Sequence, residues 1–501
     1  MMASEHRAAW DLATLVGDAI QAPSITVTGL ALDSRRARPG DAFFAVQGVT
    51  QHGIAFAADA VANGAVAVLT DLEPGDARLT DVPETTAVVH MGTDRETVGV
   101  IAARFFGAPT EALKLVAVTG TNGKSSISWL VASALEVLGR DAAVLGTLGG
   151  GRPQQRVHQA LTTPDAVSLH AFAARLVDLG VTALAMEASS HAIDQARIAG
   201  ADIDVAVFSN LSRDHLDYHG DMHHYFEAKA ALFAREELRA RVICIDDAAG
   251  LRLHERHAAN ATWVAAGAAR GDLGAPHLFA TDIQANASGL SIAWQSGDLT
   301  GQLTSTLIGG FNAQNLMLAL ATLQALGIEL GRAADALSQV AAPPGRLQRA
   351  GAQSPAVYVD YAHTPDALAA ALSALRPHSR GALWCVFGCG GDRDRGKRAP
   401  MARAAATGAD HIVVTSDNPR GEAPEAIIAD IVAGLGEQSH EVFVDRREAI
   451  ARAVAGAAAG DTVLIAGKGH ETTQRIGASA LPFDDVAEAR IALARREEAT
   501  Q

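Results

Sequence analysis

A glycine-rich turn between an apolar strand and a helix is the feature that most constrains the fold of this chain. Residues 114–119 read KLVAVT, the pattern of a buried β-strand. Residues 125–139 read SSISWLVASALEVLG, which has helical spacing and stops at Gly139. Backbone N–H groups in such a turn and at a helix N-terminus bind phosphate, and a lysine adds positive charge. The sequence therefore predicts a phosphate-binding loop on an α/β sheet.

The predicted phosphate-binding residues form one continuous run. Lys124 supplies a point charge, and the hydroxyl of Ser125 can bind Mg²⁺. The common P-loop pattern has glycine where Val118 stands here, so the match to that general motif is incomplete. The alternative is an ordinary tight turn with a surface lysine. The run comprises Gly120, Thr121, Asn122, Gly123, Lys124, Ser125 and Ser126.

Segments that read as strands alternate with Ala-rich helical segments along most of the 501 residues. After the phosphate loop, strand candidates lie at residues 182–187, 205–210 and 241–246, and helical segments separate them. Such alternation favours a parallel sheet with helices on both faces. Four later strand candidates, AVYVDYA, GALWCVFG, HIVVTSD and DTVLIAG, indicate a second α/β domain.

Two Gly/Pro-rich stretches divide the chain, one at residues 107–110 and the other at residues 343–345. A chain of this length is expected to form about three domains. We predict an α/β protein with a small N-terminal domain, a central P-loop-type ATPase domain built on a parallel sheet, and a Rossmann-like C-terminal domain. Their predicted ranges are residues 1–112, 113–341 and 342–501.

The composition excludes several classes of protein. The formal net charge of −15 argues against a general nucleic-acid binder. No run approaches the roughly 20 apolar residues of a membrane span, and the first residues lack the apolar core of a signal peptide. The cysteines Cys244, Cys385 and Cys389 form no C-x-x-C pair, which favours a reducing compartment. We therefore expect a cytoplasmic protein with no membrane span and no nucleic-acid partner.

A glutamate and a histidine follow two successive predicted strands. Glu187 ends the strand in MEASSH, and His215 lies in SNLSRDHLDYHG after the next strand. Ligands of open α/β sheets bind outside the carboxyl ends of the strands. Taken singly, Glu187 reads as a solvated carboxylate and His215 as a satisfied polar residue. Together, downstream of a phosphate loop, they predict a metal ion beside a bound nucleotide.

These motifs resemble a known family. TGTNGKSS resembles the variant phosphate loop of Mur ligases and folylpolyglutamate synthetases, and residues 209–233 resemble a block of the Mur ligase that adds the third peptide residue. The resemblance implies that Lys229 carries a carbamate, whose anionic oxygens suit Mg²⁺ better than an ammonium group does. By residue type alone, Lys229 is a solvated helix lysine. The implied metal ligands are Ser125, Glu187, His215 and the Lys229 carbamate.

Further segments resemble the parts of this family that bind ATP from the C-terminal side. Arg346 follows Pro344-Gly345, and an arginine there can stabilise charge on a transferring phosphoryl group. The alternative for an asparagine near a turn is a helix cap. The resemblance implies catalytic roles for Lys124, Lys229, His215 and Arg346, and contacts with ATP from Asn312, Asn315, Asp360 and His363.

Three polar turns follow strand candidates near the C-terminal end, at residues 387–394, 417–420 and 467–471. Because they follow strands of one predicted sheet, they can converge on one ligand, and their arginine and glutamate suit an amino acid with two charged ends. The alternative is three ordinary polar loops. The DNPR run resembles the family's diaminopimelate-type signature. The residues implied to bind diaminopimelate are Arg393, Asp417, Asn418, Pro419, Arg420, Gly467 and Glu471.

The N-terminal LDSR run resembles the uridine-binding turn of the same family, although an isolated DSR is usually just a turn. Residues 49–51 depart from the family's His-Gln-Ala, and whether they contact the ligand through side chains or through the backbone alone stays open. The residues implied to bind the UDP-linked sugar peptide are Leu32, Ser34, Thr162, Thr163, Ser189, Gln195 and Arg197.

The resemblance extends from about residue 27 to residue 490. It implies a monomeric ligase that uses ATP and Mg²⁺ to join meso-diaminopimelate to UDP-N-acetylmuramoyl-L-alanyl-D-glutamate, through an acyl phosphate, in peptidoglycan synthesis. Three alternatives stay open: a lysine-adding ligase of the same family, a folylpolyglutamate synthetase, and a P-loop regulatory or motor ATPase. The DNPR run argues against lysine, and the N-terminal domain argues against the folate enzyme.

Overall fold

Strands and helices alternate along most of the chain in the computed structural model, which describes residues 9–257, 261–265, 277–286 and 288–500. The strands are β1 (Trp10–Asp11), β2 (Thr26–Val27), β3 (Gly29–Ala31), β4 (Asp41–Ala45), β5 (Ala67–Thr70), β6 (Ala87–His90), β7 (Lys114–Thr119), β8 (Ala142–Gly146), β9 (Gly149–Arg152), β10 (Gln155–Val157), β11 (Ala183–Glu187), β12 (Val205–Phe208), β13 (Ala240–Cys244), β14 (Ala261–Ala265), β15 (His277–Asn286), β16 (Gly289–Ser296), β17 (Leu299–Ser305), β18 (Gln348–Arg349), β19 (Ala356–Asp360), β20 (Leu383–Phe387), β21 (His411–Thr415), β22 (Glu441–Phe443), β23 (Thr462–Ala466), β24 (Thr473–Ile476) and β25 (Ser479–Pro482).

The helices are α1 (Leu12–Val16), α2 (Ala57–Ala62), α3 (Glu96–Phe105), α4 (Lys124–Val137), α5 (Ala166–Asp178), α6 (Ser190–Asp194), α7 (Leu216–His219), α8 (Met222–Ala230), α9 (Ala248–His257), α10 (Gly310–Ala325), α11 (Leu330–Ser338), α12 (Pro365–Leu375), α13 (Arg398–Gly408), α14 (Pro424–Ala433), α15 (Arg446–Gly456) and α16 (Asp485–Thr500). The described residues fall into two compact units, one within residues 1–124 and 139–262 and the other within 125–138 and 263–501. The exact boundaries of the three predicted domains stay a prediction.

The N-terminal part of the first unit is a four-stranded parallel sheet in the order β3-β4-β5-β6. Successive side chains of a strand point to opposite faces of the sheet. Phe44 accordingly packs with α1 and α3, whereas Phe43 packs with α2 in a separate apolar cluster. The sheet is therefore covered on both faces.

The central sheet of the first unit has the order β10-β9-β8-β11-β7-β12-β13. The five strands β8, β11, β7, β12 and β13 run parallel, which confirms the prediction of a parallel sheet. In register, Glu187 pairs with Val118, and Phe208 pairs with Thr119. The segments that follow β7, β11 and β12 therefore leave the sheet at the same edge, beside the phosphate loop.

The described residues of the second unit include an antiparallel meander, a six-stranded sheet and the hairpin of β24 and β25. Strands β15, β16 and β17 form an antiparallel meander, which the sequence patterns did not predict. The C-terminal sheet has the order β18-β19-β23-β20-β21-β22, and all its strands except β18 run parallel. Its strands β19, β20, β21 and β23 are the four predicted from sequence. Helix α4 ends at Val137, before the predicted stop at Gly139, whose φ is +77°.

No helix in the described part of the chain is long and apolar enough to cross a membrane.

Helix α3 approaches the segment after α6 very closely at Gly99. A Cβ atom at Gly99 would stand 2.3 Å from the carbonyl oxygen of Ala199 and 2.5 Å from its Cβ. These neighbours belong to buried backbone and a short side chain, which cannot move aside cheaply. Gly99 therefore fixes how α3 packs within the first unit.

We predict that Gly99→Ala lowers the melting temperature. Overpacking of this kind costs about 1–3 kcal/mol, which exceeds the gain of roughly 1 kcal/mol in helix propensity. Gly310→Ala is the matched control, because a Cβ there meets no heavy atom within 4 Å. Thermal unfolding followed by circular dichroism measures both variants. A melting temperature for Gly99→Ala equal to that of the unaltered chain would contradict the close approach.

Candidate active site

The phosphate loop is held in shape by the residues that follow β12. Gly120 has φ +140°, and a Cβ there would stand 1.9 Å from Oγ of Ser209, so no other residue fits. The N–H of Thr121 donates to the carbonyl oxygen of Asn210 at 2.8 Å, and Oγ of Ser209 donates to the carbonyl oxygen of Asn122 at 2.5 Å. The neighbouring strand end thus positions the loop before any ligand binds.

Two lysine side chains converge on this loop. Nζ of Lys124 donates to the carbonyl oxygens of Gly120 and Thr121 at 3.0 and 2.8 Å. Nζ of Lys229, on α8, donates to the same Gly120 oxygen at 2.8 Å. Ser125 and Ser126 follow Lys124 in α4, and both are buried. Lys229, which lies 109 positions from Gly120 in the sequence, therefore contacts the same loop as Lys124.

Lys229 occupies an environment that disfavours a charge. Its side chain is 1% exposed, and Nζ lies 4.5 Å from the ring centroid of Tyr225. Burial lowers the pKa of Lys229 to about 6, the nearby charge of Lys124 acts in the same direction, and Asp214 opposes both. This is not the solvated helix lysine that residue type alone suggests. A neutral primary amine next to a phosphate loop is a potential nucleophile.

Glu187 and His215 reach the site from two different strand ends. Glu187 is buried, and its Oε1 accepts a hydrogen bond from the N–H of Thr147 at 2.8 Å. His215 precedes α7 with φ +53°, and its ring makes an edge contact with His191 at 4.8 Å. The ring of His215 also lies 6.1 Å from that of Tyr225, next to Lys229. His191 and Tyr225 were not among the predicted site residues.

Carboxylate, imidazole and hydroxyl groups therefore lie at one edge of the sheet. Oxygen-rich ligands are those that a hard cation such as Mg²⁺ prefers. An unmodified ammonium at Lys229 would repel the cation, so the donor set fits Mg²⁺ only if this amine is neutral or is converted to an anion. Burial, with His215 and His219 adding to it, also lowers the pKa of His191, which favours the neutral ring.

A cavity of about 1020 Å³ opens within the first unit, between the N-terminal sheet and the segments after β11 and β12. Of the predicted sugar-peptide residues, Leu32, Gln195 and Arg197 line it. Nε2 of Gln195 donates to the hydroxyl of Tyr218 at 2.9 Å, and Nη1 of Arg197 donates to the carbonyl oxygen of Thr163 at 3.2 Å. Sequence reasoning missed Tyr218 and Arg95, which also line the cavity.

The remaining predicted sugar-peptide residues do not line this cavity. Oγ1 of Thr163 donates to the carbonyl oxygen of Glu187 at 2.7 Å, and Oγ1 of Thr162 lies 3.1 Å from that of Thr147. The side chain of Ser189 caps α6. Ser34 is buried at the start of a short 3₁₀ helix. Thr162, Thr163 and Ser189 therefore support the Glu187 strand end, while Ser34 lies inside the N-terminal fold.

The three polar turns of the C-terminal sheet do converge. Nδ2 of Asn418, after β21, donates to Oε2 of Glu471, after β23, at 2.8 Å. Nη1 of Arg420 donates to the carbonyl oxygen of Gly391, after β20, at 2.9 Å. A Cβ built on Gly390 would lie 2.8 Å from Nη1 of Arg420 and 3.9 Å from Cγ of Arg393. The two arginines therefore flank one short backbone segment.

Buried charges lie beneath these turns. Asp417 is buried, and burial raises the pKa of its carboxyl group, with Arg446 and Lys468 opposing the rise. A Cβ on Gly467 would stand 2.3 Å from Oδ2 of Asp417, so the backbone after β23 lies directly against this carboxyl group. Pro419 lies between Asn418 and Arg420, and it too is buried.

Arg346, Asp360 and His363 form a second cluster in the second unit. The carboxyl group of Asp360 accepts hydrogen bonds from the N–H groups of Leu347 at 2.7 Å and Ala362 at 2.8 Å, and burial raises its pKa. The guanidinium of Arg346 lies 5.4 Å from the ring centroid of Tyr361, and the ring of His363 lies 4.6 Å from it. Asp360 thus fixes the loop that carries Arg346.

Asn312 and Asn315 lie together in α10, and both are buried. Nδ2 of Asn312 donates to the carbonyl oxygen of Ile308 at 2.8 Å, and Nδ2 of Asn315 donates to Oδ1 of Asn312 at 2.9 Å. The first bond ties the side chain to the turn before the helix. Contact of these asparagines with a nucleotide stays a prediction.

Three family models match successive parts of the chain. Residues 26–105 match the Mur ligase family catalytic domain, residues 118–323 the Mur ligase middle domain, and residues 345–469 the Mur ligase glutamate ligase domain. Over 485 residues the chain is 47% identical to the UDP-N-acetylmuramoyl-L-alanyl-D-glutamate--2,6-diaminopimelate ligase of Xylella fastidiosa, and the match covers 96% of each chain. The chain belongs to the Mur ligase family. The Pseudomonas aeruginosa ligase of the same description is 45% identical over 483 residues, covering 94% of this chain and 96% of that protein.

Solved structures of Mur ligases support the three-domain α/β fold. A structure of a UDP-N-acetylmuramoyl-L-alanyl-D-glutamate--2,6-diaminopimelate ligase matches with a TM-score of 0.71 at 37% identity, over 94% of this chain and 96% of that one. The D-alanyl-D-alanyl-adding ligase of Acinetobacter baumannii matches with a TM-score of 0.60 at 18% identity, over 99% and 100% of the two chains. The second match shows the fold alone.

We predict that Lys229→Met raises the melting temperature near pH 7 in CO₂-free buffer. The pKa of Lys229 is about 6 in the folded chain and 10.5 in its ordinary state. Between these values the unfolded chain binds a proton that the folded chain does not, so the lysine destabilises the fold increasingly as the pH falls from 10.5 to about 6. Methionine removes this cost, and its advantage should shrink as the pH rises towards 10.

Melting temperatures of both proteins across this pH range test the prediction. Lys114→Met is the control, because Lys114 is half-exposed and paired with Asp204. A Lys229→Met variant that melts below the unaltered chain at pH 7, or a difference that does not vary with pH, would contradict a buried neutral amine.

Proposed function

We propose that this chain is an ATP-dependent ligase that joins meso-diaminopimelate to UDP-N-acetylmuramoyl-L-alanyl-D-glutamate in peptidoglycan synthesis. The observation that carries the proposal is 47% identity, over 96% of each chain, to a ligase of that description. In this proposal ATP binds at the phosphate loop, the UDP-linked sugar peptide in the cavity, and diaminopimelate at the C-terminal turns. We place the enzyme in the cytoplasm and propose that it acts as a monomer.

The reaction begins when the free carboxylate of the D-glutamyl residue attacks the γ-phosphorus of ATP. ADP leaves, and an acyl phosphate forms. The amine of diaminopimelate then attacks the acyl carbon, phosphate leaves, and the nitrogen loses a proton. A carboxylate is a poor electrophile, so this activation is essential. Positioning and charge stabilisation supply most of the catalysis in phosphoryl transfer.

In this mechanism Lys124 leaves its loop carbonyls to contact the transferring phosphoryl group. In the structure its ammonium donates to the backbone oxygens of Gly120 and Thr121. Arg346 has the role that the resemblance implies, stabilisation of charge on the transferring phosphoryl group. The remaining nucleotide contacts of the proposal are those implied by the sequence, from the loop residues 120–126 and from Asn312, Asn315, Asp360 and His363.

Ser125, Glu187, His215 and a carbamate on Lys229 are the groups that would hold Mg²⁺. The cation supplies charge neutralisation for the phosphate oxygens during transfer. The carbamate forms when the neutral amine of Lys229 adds to CO₂ and loses a proton. The hydrogen bond of this buried amine to the Gly120 carbonyl supports the assignment, because it holds the nitrogen against the loop.

The cavity lined by Leu32, Gln195 and Arg197 is the proposed site of the UDP-linked sugar peptide. It opens between the N-terminal sheet and the strand ends that carry Glu187 and His215. This placement allows a long ligand to bind the N-terminal sheet while its carboxylate reaches the phosphate loop. Ser34, Thr162, Thr163 and Ser189 complete the set that the sequence implies.

We predict that Lys229→Ala abolishes ligation and that acetate or formate partly restores it. A short carboxylate can occupy the space of the missing side chain and supply anionic oxygens to the metal ion. Lys124→Ala is the matched control, because it also removes a lysine whose amine contacts the phosphate loop. Acetate or formate should not restore this variant, because a carboxylate cannot replace a cation. The rate of ADP formation with all substrates measures both variants. Intact mass or ¹³CO₂ labelling that finds unmodified Lys229 in fully active enzyme would sink the assignment.

We predict a strong preference for meso-diaminopimelate over L-lysine that depends on Arg420. Diaminopimelate carries one more carboxylate than lysine, and a site built to bind that group rejects an analogue that lacks it. Loss of one charge-assisted contact costs about 1.5–3 kcal/mol. Arg420→Ala should therefore raise the KM for diaminopimelate far more than the KM for ATP.

Side-by-side kcat/KM values for the two amino acids test this prediction. Arg395→Ala serves as control, because Arg395 is an exposed arginine of the neighbouring turn that pairs with Glu422. Equal use of both amino acids by the unaltered enzyme, or an unchanged ratio in Arg420→Ala, would show that the DNPR turn does not set specificity.

A further inference from the structure

A lysine with no exposed surface lies directly beneath the proposed amino-acid site. Lys468 is 0% exposed, although lysine is among the residues least often buried. Its Nζ donates to Oδ1 of Asn418 at 3.1 Å, to Oε2 of Glu471 at 3.2 Å and to the carbonyl oxygen of Thr473 at 2.7 Å. All three donor positions of the ammonium are therefore used.

These three acceptors belong to different segments. Asn418 lies in the turn after β21, Glu471 in the turn after β23, and Thr473 begins β24. The first two are side chains proposed to contact the incoming amino acid. We infer that Lys468 is the positioning residue of the amino-acid site: its buried ammonium holds Asn418 and Glu471 in the orientation that binds diaminopimelate. This inference rests on the proposed function.

The geometry explains what is lost without the ammonium. Oε2 of Glu471 accepts from both Lys468 and Asn418, and no hydrogen bond to its Oε1 is found in the described chain. The unused oxygen can then face the ammonium of a bound amino acid. Oδ1 of Asn418 accepts hydrogen bonds from Lys468 and from the N–H of Arg475. These two bonds fix which side of the Asn418 amide carries the oxygen and which carries the NH₂ group.

Electrostatics point to the same role. Asp417 and Glu471 are two carboxyl groups in one partly buried site. Burial raises the pKa of Asp417, and the charge of Glu471 raises it further. The ammonium of Lys468 lies between the turns that carry them. It opposes the rise in the pKa of Asp417 that burial and the charge of Glu471 cause. A neutral side chain at residue 468 would leave the pair without this compensation.

The test compares Lys468→Met with the unaltered enzyme. The KM for meso-diaminopimelate should rise on the order of 10- to 100-fold, the loss expected for charged hydrogen bonds, while the KM values for ATP and for the UDP-linked dipeptide change less than about twofold. Arg376→Met is the matched control. Arg376 also binds a carboxylate and a carbonyl oxygen, those of Asp410 and Gly408, but these lie just before β21, at the opposite end of that strand from the amino-acid site.

Lys468→Arg keeps the charge but cannot place three donors at the same atoms, so its KM for diaminopimelate should lie between those of the other two proteins. An unchanged KM in Lys468→Met, or an equal rise for all three substrates, overturns the inference. Failure of both variants to fold also overturns it, because the lysine would then serve the stability of the domain. If the unaltered enzyme itself does not use diaminopimelate, the proposed function fails instead.

Discussion

One carbonyl oxygen, that of Gly120, accepts hydrogen bonds from two lysine amines, and the chemistry at the central sheet depends on this meeting. Two ammonium groups on one acceptor repel each other, and burial makes the repulsion stronger. The conflict is resolved by the environment of Lys229, where burial and the charge of Lys124 lower the pKa to about 6. One amine is then a cation for phosphate, and the other is a neutral group that can be modified. The two lysines, one at the start of α4 and one on α8, therefore have different chemical properties beside one loop.

The C-terminal sheet also brings groups with different charges to one site. Parallel strands bring the turns after β20, β21 and β23 to one edge of the sheet, where side chains with opposite charges meet. Arg420 and Arg393 flank one backbone segment and offer guanidinium groups for carboxylates, whereas Glu471 offers an oxygen for an ammonium. A parallel sheet buried on both faces gives these turns a rigid base, because its strands are fixed by packing against helices on either side.

Short sequence patterns predicted the elements whose structure is set by residues close together in the sequence. The phosphate loop follows from a strand, glycines and a helix within 25 residues of the sequence, and the four C-terminal strands follow from short apolar runs. Contacts between distant segments were not predictable in this way. The bond from Lys229 to Gly120 spans 109 positions, and Lys468 reads as a solvated lysine although it is completely buried. The hairpin of β9 and β10 was missed because its sequence, GGGRPQQRV, reads as a turn.

In the proposed reaction, phosphoryl transfer from ATP is coupled to the joining of two further substrates, rather than to a change of partner as in a regulatory ATPase. Release of inorganic phosphate from ATP, measured with each substrate omitted in turn, tests it most directly. Sustained release should require both UDP-N-acetylmuramoyl-L-alanyl-D-glutamate and meso-diaminopimelate, and one amide product should form for each phosphate released. Equal phosphate release in the absence of either substrate would contradict the account.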